Sequence, residues 1–111
     1  MEGKVVVIIS SADLEKARTG AMYALNALRH GWMKEVKVFF FGPSQALLLE
    51  DVELQNFLKE YRLMEERAVV CRAVADRDGN SEQIAQLDVT VDYVGAAISD
   101  YIKAGYVPMV W

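Results

Sequence analysis

Hydrophobic and polar positions along the chain alternate between two rhythms. Residues 5–9, "VVVII", form an unbroken β-branched run, the pattern of a strand covered on both faces. After Ser10-Ser11 the spacing changes: Leu14, Ala17, Ala21, Ala24, Leu25 and Leu28 recur every three or four residues, a helical stripe that Gly31 closes. Ser10 with Asp13 three residues on resembles a capping box and predicts that the serines cap this helix. Gly20 sits inside it at a cost of about 1 kcal/mol relative to Ala, which predicts a close approach to the sheet.

The two rhythms repeat to the end of the chain. Residues 36–41 read as a second buried strand, closed by Gly42-Pro43, with Pro43 opening a short helix over 44–49. Leu54, Phe57, Leu58 and Tyr61 predict a helix over 51–64. A third strand at 68–70 runs into Cys71, and residues 72–78 give one or two helical turns ended by Gly79. Asn80 with Gln83 marks a further short helix. Val89, Val91 and Tyr93 alternate with Thr90, Asp92 and Val94 as a less covered fourth strand. Gly95-Ala96 opens a last helix through Lys103, Gly105 ends it, and residues 106–110 are a fifth strand whose Pro108 implies an edge or irregular position.

Strands separated by helices throughout predict one α/β domain over residues 1–111, a three-layer sandwich with a mostly parallel five-stranded sheet. In such sheets ligands lie outside the carboxyl ends of the strands. That rim should carry Ser10, Ser11, Gly42, Pro43, Cys71, Gly95 and Ala96.

Composition narrows the class of function. The hydrophobic fraction of 53% exceeds the usual range of about 45–50% for soluble domains, and the surplus is expected at contacts between subunits. A net charge of −4 and a pI near 4.9 argue against nucleic acid, which demands a basic face. No apolar run approaches the roughly 18 residues needed to cross a bilayer, and Met1-Glu2-Gly3-Lys4 has no signal-peptide organisation. A single cysteine allows neither an internal disulfide nor a cysteine-rich metal site. The expectation is a cytoplasmic protein without metal or organic cofactor.

Several α/β chemistries fail on particular residues. The first turn, Ser10-Ser11-Ala12-Asp13, lacks the glycines of a dinucleotide fold, and no Gly-Lys-Ser/Thr ending marks a phosphate loop. A receiver domain would place an aspartate where Cys71 stands. A thioredoxin-like site needs two cysteines, and a rhodanese-type loop would have glycine at Val74. His30 falls in the last turn of the first helix, where the dipole favours a cation. Asp76, Arg77 and Asp78 read as a solvated face. No His-Asp pair supports Ser10 or Ser11 as a nucleophile.

Cys71 leaves two readings. Free cysteine is a frequent core residue. At a strand's carboxyl end before a short helix, however, the N–H groups of Arg72 and Ala73, the dipole and the Arg72 charge would stabilise a thiolate, provided that it is partly exposed. "FFFGPSQALLL", the cysteine at the end of strand three with Gly79 eight residues on, "VDYVGAAISDYIKAGYVPMVW" and the opening "KVVVIISSAD" together resemble the DsrE/DsrF-like family over essentially the whole chain. The resemblance implies a parallel α/β sandwich assembled as a trimer or hexamer. It also implies a persulfide-type sulfurtransferase or sulfur carrier acting between donor and acceptor proteins, with Cys71 at the position of the family's persulfide cysteine. Gly42, Pro43, Gly95 and Ala96 would then wall the pocket. Some members lack the cysteine, so a non-catalytic oligomeric module that binds a small ligand or a protein, with Cys71 structural, is the alternative.

Overall fold

The computed structural model describes residues 3–111. Met1 and Glu2, part of the segment read above as carrying no signal-peptide organisation, lie outside the described residues. The elements run β1 (Lys4–Ile9), α1 (Leu14–Arg29), β2 (Glu35–Phe40), α2 (Ser44–Leu47), α3 (Val52–Leu63), β3 (Ala68–Cys71), α4 (Arg72–Asp78), α5 (Ser81–Ala85), β4 (Val89–Asp92), α6 (Gly95–Lys103) and β5 (Val107–Val110). The five strands form one sheet in the order β4-β3-β2-β1-β5. Every pairing is parallel.

Side chains alternate across the sheet and fill two cores. Val5, Val7, Ile9, Val36, Val38, Phe40, Ala68 and Val70 face α1 and α3, whose Ala17, Ala21, Ala24, Leu54, Phe57 and Leu58 cover them. Each large aliphatic or aromatic side chain buried there contributes about 1.5–3 kcal/mol. Val6, Phe39 and Cys71 face the other way, toward Val74, Val94, Ile98 and Tyr106. This second core is thinner because α6 is the main crossover on that face. It is closed at the amino end of the sheet by aromatic packing of Tyr101 on Tyr106 and Phe39.

The caps differ from the sequence expectation at α1. Asp13, not a serine, is the N-cap, accepting from the Lys16 N–H at 3.2 Å. Ser11 Oγ accepts the Asp13 N–H at 3.0 Å instead. The amides of Ser10 and Ser11 both donate to the Trp111 carbonyl, at 2.9 and 3.1 Å, extending the β1–β5 pairing. Those bonds keep the serines in line with the strand, so the helix starts later. Gly20 admits a different neighbour from the one expected: the indole of Trp111 rather than sheet backbone. Asp51 caps α3 by accepting from Leu54 N–H at 3.0 Å, and Arg18 on α1 binds the same carboxylate, with Nη2 at 2.5 Å. The buried Tyr61 hydroxyl donates to the Val36 carbonyl at 2.5 Å.

β5 lies at the sheet's edge. The Trp111 N–H donates inward to the Ile8 carbonyl at 2.8 Å, and by alternation Pro108 and Val110 turn their backbone outward. Pro108 has no N–H to offer there, which blunts the edge against pairing with another strand.

Candidate functional site

The order of the strands locates a crevice. β1, β2 and β3 step across the sheet through helices on one face, and the chain leaving β3 returns on that face through Ala75 and Ile84. From β4 the chain instead crosses the opposite face through α6 to reach β5 beside β1. The neighbouring exits of β3 and β4 therefore diverge, and such a switch point is where open α/β sheets bind ligands. Cys71 stands there, in register with Asp92.

Cys71 ends β3 and is the N-cap residue of α4, with φ −68° and ψ 119°. Its side chain makes no capping hydrogen bond and is 4% exposed, packed in the cluster with Val74, Val94 and Ile98. Partial exposure and a sulfur facing the first amides of α4 were the expectation; the structure instead buries the residue and shows no side-chain capping hydrogen bond. The cause is the period of two along β3. Ala68 and Val70 take the face toward α1 and α3, so Val69 and Cys71 point to the other, where the start of α6 covers the thiol.

The residues expected around the thiol separate into two groups. Arg72 is half-buried, its Nη2 donating to the Val91 carbonyl at 3.1 Å, so β4 and not the sulfur is the partner the structure gives it. Ala73, Pro43, Gly95 and Ala96 are exposed, and space is open around Gly95. The α6 segment reaches the cysteine through Val94 and Ile98, one residue before and three after the Gly95 at which the helix opens. Ser11 serves the start of α1. Ser10 and Gly42, by contrast, join Cys71 in one hydrogen-bonded rim.

Two residues that the sequence reading left as plain helix build that rim. Ser44 and Gln45 open α2, and both are fully buried. Ser44 N–H donates to the Ser10 carbonyl at 3.0 Å, and Ser44 Oγ to the Ile9 carbonyl at 2.6 Å. Gln45 Oε1 accepts from the Gly42 N–H at 3.0 Å, and Nε2 donates to the Cys71 carbonyl at 3.1 Å. Gly42 has φ +118°, and a Cβ on it would lie 2.9 Å from Ser10 Oγ, so the turn admits glycine alone without strain. The signal in the sequence was a serine and glutamine embedded in the apolar run "FFFGPSQALLL", where a purely structural turn needs neither.

His30 is exposed at the end of α1 and stacks on Trp32, with ring centroids 5.5 Å apart. An open groove of about 620 Å³ between α1 and α3 is lined by Arg18, Met22, Arg29, Glu53 and Glu60, with no cysteine, serine or histidine among its lining residues. Among the described residues no three His, Cys, Asp or Glu side chains form a metal-holding group, and no helix is long and apolar enough to cross a membrane.

The family model of DsrE/DsrF-like proteins matches residues 3–110. This chain belongs to the DsrE/DsrF-like family. Its fold is also that of solved structures. A protein of unknown function from Bacteroides thetaiotaomicron, BT1422, superposes with a TM-score of 0.81 at 25% identity, over 97% of this chain and 95% of that one. The ychN protein of E. coli gives 0.74 at 15% identity, over 97% and 99%. MTH1491 from Methanobacterium thermoautotrophicum, likewise of unknown function, gives 0.66 at 18% identity, over 99% and 100%. No curated protein matches the chain. In this DsrE/DsrF-like protein the cysteine stands at the divergence of β3 and β4, beneath α6.

Proposed function

We propose that this DsrE/DsrF-like protein relays sulfane sulfur in the cytoplasm as a persulfide on Cys71. The observation that carries the reading is the position of the chain's sole cysteine, at the crevice between the β3 and β4 exits, in a member of this family. The Cys71 thiolate attacks the terminal sulfur of a donor persulfide. A new S–S bond forms, the donor's own S–S bond breaks, and the donor leaves as a thiolate. An acceptor thiolate then attacks the outer sulfur, and Cys71 departs as a thiolate. Neither step changes the number of electrons, so no oxidant, metal or organic cofactor takes part.

A homo-oligomer, trimer or hexamer, is part of the same proposal. Phe41, Tyr93, Ile102, Val107 and Val110 are exposed large apolar residues on or beside the carboxyl rim, α6 and β5. Together with the 53% apolar content of the chain, these exposed side chains support coverage by further subunits.

The burial of Cys71 favours a second reading, an oligomeric ligand- or protein-binding module in which the thiol is core. Alkylation of the folded protein by a small reagent separates the two. A carrier's thiol reacts while the fold persists; a core thiol reacts only on global unfolding.

A further inference from the structure

We infer that Gln45 is a positioning residue that holds the Cys71 thiol in its covered state, an inference that rests on the reading of Cys71 as the sulfur carrier. Gln45 is fully buried, and both ends of its amide are used. The Gly42 N–H can only donate and the Cys71 carbonyl can only accept, so the amide has a single orientation that satisfies both. A Met or Leu would fill that volume without the cost of burying an amide. What the amide adds is a fixed link from the β2 turn to the peptide joining Cys71 to α4.

That peptide controls the thiol. Cys71 is buried in one cluster with Val74, Val94 and Ile98, and a lift of the first turn of α4 would bring the thiol to solvent. The lift stretches the bond from Gln45 to the Cys71 carbonyl. Ser44, one residue earlier, is equally buried but ties α2 to β1 and makes no bond to Cys71. Gln45 therefore sets how often the thiol opens, while Ser44 sets only how firmly α2 is seated.

The test is the rate of Cys71 alkylation by iodoacetamide in the full chain, normalised to the denatured protein, alongside global stability. Leaving the Cys71 carbonyl without its buried donor favours opening, and the expected rise for Gln45→Met is about tenfold beyond any change in global unfolding. Gln45→Leu, which likewise offers no donor to the Cys71 carbonyl, should reproduce the rise. Ser44→Ala should show only the change its global stability dictates. If Gln45→Met and Ser44→Ala both alkylate at rates set by their own global unfolding, the inference is overturned. Should the Gln45 variants not fold, the wild type decides. A shallow dependence of alkylation on denaturant indicates local lifting and supports the inference, whereas the full slope of global unfolding contradicts it. Sulfur uptake keeps the two claims apart. A thiol unlocked by Gln45→Met that never takes up sulfur removes the carrier and leaves the positioning role. Uptake by the wild type with no excess alkylation in Gln45→Met does the reverse.

Discussion

Gly20 lies against the Trp111 indole so closely that a Cβ on it would stand 2.7 Å from Trp111 Cγ. The contact seats the end of β5 on α1 and gives a helix-interior glycine its reason. Gly20→Ala gains about 1 kcal/mol of helix propensity but forces the root of a large side chain to move, an overpacking cost of about 1–3 kcal/mol. The expected net effect is a lower thermal midpoint. In a Trp111→Ala background only the 3.0 Å contact with Cβ is left, so the same substitution should cost much less or become neutral. Thermal denaturation of the four proteins in the cycle measures the coupling.

Acid stability should depend on Asp51. The Arg18 side chain, followed by the Leu54 N–H, holds its carboxyl below the usual carboxylate range against the effect of burial. The folded protein then binds fewer protons than the unfolded chain in acid. Stability is complete above the unfolded value of about 3.9 and is lost as pH falls through the lower folded value. Asp51→Asn should flatten the decline in stability below pH ~4, and Asp51→Ala should also cost about 1 kcal/mol at neutral pH through the lost cap. Urea unfolding across pH checks both.

At the other end of the scale, burial and the hydrogen bond to Glu35 push the Tyr106 phenol up to about 12. The unfolded chain releases this proton near pH ~10 and the folded chain later, so stability falls as pH rises from ~10 through the folded value. Tyr106→Phe should lose stability at neutral pH by removing the donor to Glu35, yet show a shallower alkaline decline. Denaturation midpoints at neutral and alkaline pH distinguish that pattern from uniform destabilisation.

The alternation of β-branched runs with helical stripes made the parallel sheet and its five strands legible, because strands covered on both faces leave an unmixed apolar signature. The edge position of β5 was likewise written in Pro108. The orientation of the cysteine was not. One residue of phase along β3 decides whether Cys71 faces α1 and α3 or α6, and a four-residue strand contains too few alternations to read that phase. The Ser44–Gln45 rim also escaped, because its partners are backbone carbonyls of distant strands that carry no side-chain signature. Ser10 misled for a related reason: its amide is taken by Trp111 at the other end of the chain.

Assembly gives a direct expectation. Light scattering should return a mass several times the 12.5 kDa of one chain at micromolar concentration. Val110→Asp, on the exposed side of β5, should shift the population toward monomer while circular dichroism stays unchanged. A monomeric wild type would contradict the proposed oligomer.

Sulfur carriage itself is tested most directly by intact mass after incubation with a sulfane donor. The account predicts a gain of one sulfur atom in the folded wild type, reversed by a reducing thiol and absent from Cys71→Ser with fold and assembly retained. A wild-type protein that keeps its original mass, although iodoacetamide labels Cys71 under the same folded conditions, contradicts it.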